Sequence, residues 1–243
     1  MNHTAFQIVW LSLLALALFA MLAGLISFAG MLFRWRTPKR RVHVIRLLVC
    51  MAAIPLLIGA QFALTWWIYF PALARQQMAE VEANRAERFR ESTHVLVDAQ
   101  APDFAVETLD GDEFSLAGSE GKVVLINFFA TWCGPCHLEL PHLQEIWNKH
   151  GDDPRFRMIM IAREETEAEI GSYQEDHGIG FPMAADPTGE IYRLFADRYI
   201  PRNLVVSPEG QVVFSSMGFV EQDLEEMRAV IKKQLADLPQ PGK

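Results

Sequence analysis

The chain has 243 residues, of which 51% are apolar, and its formal net charge is −8. Residues 1–70 contain six Lys or Arg and no Asp or Glu, which leaves 16 basic and 30 acidic side chains for residues 71–243. The acidic larger part excludes a nucleic-acid-binding protein built on a basic face. Both parts are too rich in large apolar residues for a disordered chain. This uneven charge predicts two parts in different environments.

Two uncharged stretches in the first part are long enough to cross a membrane. Residues 8–33 and 47–70 have 26 and 24 residues without a charge, and about 20 apolar residues suffice for a membrane helix. A cleaved signal peptide has a basic start and a shorter apolar core, so we expect the first stretch to be retained. The sequence predicts a two-span anchor over residues 1–70, embedded in membrane lipid.

The six basic residues all lie in the segment 34–46 between the two stretches. Because cytoplasmic loops of membrane proteins are enriched in Lys and Arg, we expect this loop in the cytoplasm and the rest of the chain outside. That arrangement corresponds to a bacterial inner membrane with a periplasmic domain. Residues 71–93 are predicted to be a helical linker, and residues 94–243 have the size of one domain.

The second part alternates strand and helix patterns. Such alternation predicts an α/β fold with a mixed sheet covered on both faces. An Asp110-Gly111 turn indicates a hairpin in front of it. The predicted elements are a hairpin at 104–116, strands at 122–129, 157–162, 204–206 and 211–214, and helices at 136–150, 164–177 and 221–238.

Two of the three cysteines stand in the motif Trp132-Cys133-Gly134-Pro135-Cys136, and the third, Cys50, lies in the second apolar stretch. The motif follows a predicted buried strand and opens a predicted helix. Free N–H groups and the helix dipole at a helix N-terminus favour a thiolate, which is the reactive form. We therefore expect Cys133 to attack and Cys136 to resolve the mixed disulfide.

The motif and its surroundings resemble the membrane-anchored TlpA/ResA-like branch of the thioredoxin-like family, which includes proteins that serve cytochrome c maturation. The resemblance covers about residues 95–238. The matching stretches are Ala101-Pro102-Asp103-Phe104, 121–128, 130–136, Glu139-Leu140-Pro141, Phe181-Pro182 and Ile200-Pro201. It implies a thioredoxin-like fold, a redox-active Cys133–Cys136 disulfide and a thiol-disulfide oxidoreductase that needs no metal or cofactor.

The resemblance also implies roles for residues around the cysteines. Pro201 would be a cis proline facing the disulfide, and the backbone of Ile200 would bind substrate beside Trp132, Gly134 and Pro135. Glu139 would exchange a proton with Cys136. Asn127 occupies the position at which thioredoxins carry a buried Asp, which puts more weight on Glu139.

The chain departs from the family after the cis proline, where members often read Pro-Thr-Thr and this sequence reads Pro201-Arg202-Asn203. Arg202 is a predicted substrate-binding residue if it points toward Cys133, where it would stabilise the thiolate. It has no role there if it points to solvent. Tyr199 adds bulk beside the same site.

The Gly-Pro spacer resembles that of reducing thioredoxins, so we expect the protein to reduce disulfides of protein substrates. An outward-facing reductase needs electrons from across the membrane. Cys50 is alone and cannot relay them as a pair, so a separate membrane thiol carrier is implied.

Four other functions remain open at this point. The sequence Cys133–His137 also fits the C-x-x-C-H pattern of haem attachment, although the preceding buried strand disfavours it. A single C-x-x-C could supply two thiolate ligands to zinc or copper. A structural zinc site, however, needs four ligands. A thiol peroxidase of the peroxiredoxin type would share the fold, but Thr131 is not at the required spacing. A non-catalytic adaptor would not need both cysteines.

Overall fold

The computed structural model describes residues 3–33 and 40–239. The chain divides into two compact units, Met1–Arg85 and Ala86–Lys243, and each is considered by itself.

The first unit is helical. Helix α1 spans His3–Phe33 and packs against helix α2, which spans Arg40–Ala63. A π-helical turn, Leu64–Tyr69, leads into helix α3, Phe70–Ser92, whose last turns belong to the second unit. Two helical stretches, beginning at Trp10 and at Val44, have the length and composition required to cross a membrane.

The predicted basic loop at 34–46 is only partly described. Residues 34–39 lie outside the described residues. The remainder is helical, since α2 begins at Arg40. No Gly or Pro interrupts the sequence between Arg40 and the apolar stretch. The helix therefore includes the charged residues that precede this stretch.

The second unit is built on a five-stranded mixed sheet, as predicted. Strands β3, β4 and β5 are parallel to one another. Strand β6 pairs antiparallel with β3, and β7 pairs antiparallel with β6, so that the strand order is β5-β4-β3-β6-β7. A separate hairpin of β1 and β2 precedes the sheet. The strands are β1 Ala105–Glu107, β2 Glu113–Ser115, β3 Val123–Phe129, β4 Phe156–Arg163, β5 Met183–Asp186, β6 Arg202–Val206 and β7 Val212–Met217.

Helices and the hairpin cover the two faces of this sheet. The helices of the unit after α3 are α4 Gly134–His150, α5 Glu167–His177, α6 Glu190–Phe195 and α7 Glu221–Asp237, and a short 3-10 turn spans Ala117–Ser119. Buried residues of α4, α5 and α7 form one core cluster with alternate residues of the central strands. The other face carries α6 and the hairpin in a second cluster.

The alternation of side chains along the central strands decides what faces each side. On β3, Val123, Leu125 and Phe129 belong to the α4 face, whereas Val124, Ile126 and Phe128 belong to the opposite face. Asn127 therefore points to the α4 face, because side chains two apart share a face. On β6, Val205 lies on the α4 face and Leu204 on the other. Asn203 consequently faces α4, and Arg202 faces away from it.

Two elements of the second unit escaped prediction. Strand β5 has only four residues, including two alanines, and α6 has six residues, so neither carries a clear hydrophobic period. Helix α5 begins later than expected, at Glu167, since Thr166 and Glu169 form a capping box.

Candidate functional site

The site is centred on a disulfide at the start of α4. Cys133 and Cys136 are bonded to each other, with their Cα atoms 5.3 Å apart. Cys133 is the N-cap of the helix, and its sulfur accepts a hydrogen bond from the backbone N–H of Cys136 at 3.2 Å. The same N–H group would stabilise a thiolate on Cys133 after reduction.

Both cysteines are largely buried, but their surroundings are open. Cys133 is 4% exposed and Cys136 1% exposed, which agrees with Cys133 being the more accessible of the two. Gly134 and Pro135 are exposed, and Trp132 is 69% exposed. A partner that reaches Cys133 would therefore meet these three residues.

The peptide bond between Ile200 and Pro201 is cis, as predicted. Pro201 is buried, and Ile200 packs against the core cluster that contains both cysteines. The preceding residue, Tyr199, has a φ of 70° and a 40% exposed side chain. The loop that the resemblance assigns to substrate binding thus lies against the same core as the disulfide.

Glu139 is a buried residue of α4, and its carboxylate accepts hydrogen bonds from two asparagines. Its Oε1 accepts from Nδ2 of Asn203 at 2.6 Å and its Oε2 from Nδ2 of Asn127 at 3.0 Å. Glu139 stands three residues after Cys136 on α4, a spacing that places both side chains on one helix face. The structure thus provides a buried carboxyl group three residues after Cys136 on the same helix.

Burial raises the pKa of Glu139 from 4.5 to about 7, and the negative charge of Asp223 acts in the same direction. The hydrogen bonds from Asn203 and Asn127 oppose this rise, since they favour the carboxylate. A carboxyl group with such a pKa can both accept and return a proton near neutral pH.

Asn203 is the site residue that the sequence analysis missed. It pairs directly with Asn127 across β3 and β6, and its Oδ1 accepts from Nδ2 of Asn127 at 2.8 Å. The signal was present in the alternation of the apolar run after Pro201. Val205 belongs to the α4 face, so Asn203, two residues earlier, shares that face.

Arg202 does not face the cysteines, which corrects its predicted role as a substrate-binding residue. It pairs with Phe128 across the sheet on the face opposite α4. Its side chain is 1% exposed and donates hydrogen bonds to Ser92, Thr93 and the loop carbonyls that precede the cis bond. Neither of the two expected orientations, toward Cys133 or toward solvent, is observed.

The residue that precedes Trp132 is held from two sides. The backbone N–H of Thr131 donates to Oε2 of Glu165 at 2.8 Å, and its hydroxyl donates to the other carboxylate oxygen. In addition, Nε2 of His137 lies 2.6 Å from the carbonyl oxygen of Thr131. These contacts fix the backbone that leads into Cys133.

Within residues 3–33 and 40–239, no three His, Cys, Asp or Glu side chains come together in a group that could hold a metal ion.

Comparisons with known proteins agree with this geometry. Residues 97–215 match the family model described as the AhpC/TSA family. The thiol-disulfide oxidoreductase ResA of Geobacillus thermodenitrificans is 30% identical over 130 residues, which cover 52% of this chain and 72% of that protein. ResA of Bacillus thuringiensis subsp. konkukian is 28% identical over 145 residues, covering 60% of this chain and 82% of the relative.

A solved structure shares the fold of the second unit. The solution structure of a candidate protein disulfide isomerase from Bacteroides thetaiotaomicron superposes with a TM-score of 0.58 at 31% identity. The match covers 60% of this chain and 94% of that protein. The fold of the second unit is therefore thioredoxin-like.

The hydrogen bond from Asn203 to Glu139 can be tested by substitution. In Asn203→Leu the carboxylate loses a short, charge-assisted donor, so the pKa of Glu139 should rise above its value of about 7. A bond of this type is worth about 1.5–3 kcal/mol, or roughly one to two pH units. Infrared absorption of the protonated carboxyl group during a pH titration, with Glu139→Gln subtracted, measures the midpoint.

Ser216→Ala serves as the control for this titration. It removes a hydroxyl 3.4 Å from Nδ2 of Asn203 and leaves both donors to Glu139 in place, so the midpoint should stay near 7. An unchanged or lower midpoint in Asn203→Leu would contradict the assignment.

Proposed function

Because the chain belongs to the ResA family of thiol-disulfide oxidoreductases, we propose that Cys133 and Cys136 exchange dithiol and disulfide with protein substrates, in the reducing direction. The observation that carries this proposal is the disulfide at the N-terminus of α4, with a buried carboxyl group three residues further along the helix. The Gly-Pro spacer, similar to that of reducing thioredoxins, supports the direction.

The first step is attack by the reduced enzyme. The thiolate of Cys133 attacks one sulfur of a substrate disulfide, the substrate S–S bond breaks, and one substrate thiolate leaves. A mixed disulfide now joins Cys133 to the substrate sulfur that it attacked, and the thiolate that left is the other sulfur of the substrate disulfide. The N–H of Cys136, which points at the Cys133 sulfur, favours the thiolate before attack.

The second step releases the substrate. The thiol of Cys136 gives its proton to the carboxylate of Glu139 and attacks the sulfur of Cys133. The mixed disulfide breaks, the second substrate thiolate leaves and is protonated, and the Cys133–Cys136 disulfide forms. The substrate gains two electrons and the enzyme loses two. Above a pH of about 7 Glu139 is ionised and can act as the base.

Substrate binding is assigned to the open surface around the disulfide. Trp132, Gly134 and Pro135 are exposed beside Cys133. Ile200 and Pro201 form the loop on the other side, where the backbone of Ile200 would bind an extended substrate segment.

We place the second unit outside the cytoplasm, on a membrane anchor. Two apolar helical stretches and a basic segment between them support this location. The oxidised pair then needs electrons from the cytoplasm, and a separate membrane thiol carrier would supply them. Exported proteins with disulfides are the substrates, and cytochrome c maturation is the process that the family relationship suggests.

A thiol peroxidase is the second candidate, because the AhpC/TSA match covers residues 97–215. A peroxidase of this class needs a threonine hydroxyl near the attacking cysteine. The hydroxyl of Thr131 is instead bound to the carboxylate of Glu165. This contact favours disulfide exchange over peroxide reduction.

Cysteine variants separate these two activities. Cys133→Ser should abolish the reduction of insulin disulfides with dithiothreitol as the electron source, because it removes the attacking thiolate. Cys136→Ser should lower turnover strongly, because the mixed disulfide persists. The aggregation of reduced insulin chains measures the rate, and Cys50→Ser is the control that should keep full activity. Hydrogen peroxide consumption that exceeds insulin reduction and depends on Cys133 would favour the peroxidase.

The substrates and the location can be identified in one trapping experiment. Cys136→Ser, produced in a bacterial host as the full chain, should accumulate mixed disulfides between Cys133 and exported proteins. The variant that also carries Cys133→Ser should trap none. Recovery of apocytochromes supports the maturation role, recovery of unrelated exported proteins removes it, and recovery of cytoplasmic proteins contradicts the proposed location.

A further inference from the structure

The guanidinium group of Arg202 joins two segments of the second unit that are distant in sequence. Its Nη1 donates to the hydroxyl of Thr93 at 2.8 Å, and its Nη2 donates to the carbonyl and hydroxyl oxygens of Ser92 at 3.2 and 2.5 Å. Its Nε donates to the carbonyls of Arg198 and Tyr199, both at 3.2 Å. One buried side chain thus binds the end of α3 and the loop before the cis peptide bond.

The end of α3 is well suited to receive this charge. The hydroxyl of Ser92 donates to the carbonyl of Arg88 at 2.6 Å, and the hydroxyl of Thr93 donates to the carbonyl of Phe89 at 2.5 Å. The ring of Phe89 lies 5.6 Å from the guanidinium carbon. Since carbonyls at a helix C-terminus lack helical partners, a cation there is favourable.

The loop on the other side has an unusual backbone. Tyr199 has a φ of 70°, in the left-handed region that side-chain-bearing residues seldom occupy. Its carbonyl accepts from Nε of Arg202 and from the hydroxyl of Tyr192, the latter at 2.9 Å. Tyr199 directly precedes Ile200, so these bonds determine the direction in which the backbone of Ile200 enters the site.

We propose that Arg202 is a positioning residue that joins the end of α3 to the carbonyls of Arg198 and Tyr199 and so holds the Ile200 backbone in the conformation that receives a protein substrate. This inference rests on the proposed function of the Cys133–Cys136 pair. Arg202 lies on the face of the sheet opposite α4, so it acts through the loop and not on the sulfurs.

A guanidinium group is required for this arrangement. Its three nitrogens donate in a fixed planar fork, and here all three are used. A lysine would supply one ammonium group at a single point and could not bond both segments in the same way. Binding of protein substrates should therefore be more sensitive to Arg202 than the reactivity of the cysteines is.

The test compares a protein disulfide with a small one, using the full chain in detergent. In Arg202→Met the KM for insulin should rise by about tenfold, the loss expected for a charge-assisted hydrogen bond. The reaction of the reduced enzyme with 5,5′-dithiobis(2-nitrobenzoate), which needs no docking loop, should stay within about twofold of the original rate. Arg202→Lys should give an intermediate KM.

A second variant removes the two hydroxyl acceptors on the α3 side and leaves the carbonyl of Ser92 in place. Ser92→Ala combined with Thr93→Val deletes both hydroxyl acceptors and keeps Arg202, and should raise the KM for insulin in the same direction. Combined with Arg202→Met it should add little, because both changes break one network. Arg228→Met is the matched control, since Arg228 pairs with Glu145 and Glu225 on α4 and α7.

Hydrogen exchange makes the test independent of the proposed activity. The amide of Asp197, which donates to the carbonyl of Ser92 at 3.2 Å, should exchange faster in Arg202→Met and in the α3 variant, and at the original rate in Arg228→Met. Unchanged exchange at this amide together with an unchanged KM would overturn the positioning role, as would an equal loss of reactivity toward both disulfides. If the unaltered protein fails to reduce insulin, the proposed function fails, and the exchange rates still decide the role of Arg202.

Discussion

Two neighbouring strands each place an asparagine beneath the helix that begins at the disulfide. Asn127 on β3 and Asn203 on β6 are paired in register and both donate to Glu139. These two hydrogen bonds compensate in part for the burial of the Glu139 carboxyl group. They keep the pKa of Glu139 near neutrality, where burial alone would raise it further. The acid–base chemistry that we assign to Cys136 depends on this arrangement, since an unsupported buried carboxyl group would remain protonated.

The alternation of side chains along β6 places Arg202 on the face of the sheet opposite α4. One residue before Asn203, it points away from the disulfide and binds the end of α3 and the loop that precedes Pro201. The strand β6 therefore supports both sides of the site. Asn203 lowers the proton affinity of the buried Glu139 carboxylate, and Arg202, the residue before it, holds the loop that would receive substrate.

Much of the second unit follows from the sequence. The continuous apolar runs predicted β3 and β4, and the family resemblance carried by the motif between β3 and α4 implied the disulfide. Neither orientation considered for Arg202 was correct. Its true orientation depends on the register of β6 and on an acceptor site formed by Ser92 and Thr93, which are remote in sequence. Asn203 was missed for a related reason. Its partner Glu139 lies on another element, and only tertiary structure brings the two together.

The central claim is that Glu139 takes the proton of Cys136 when the mixed disulfide is resolved. Acid quenching of a single turnover with insulin measures the lifetime of that intermediate one pH unit above the pKa of about 7. We predict that Glu139→Gln prolongs the lifetime by about 10²-fold, the contribution typical of a general base, while the initial attack by Cys133 keeps its rate. Equal lifetimes in the two proteins at this pH would contradict the account.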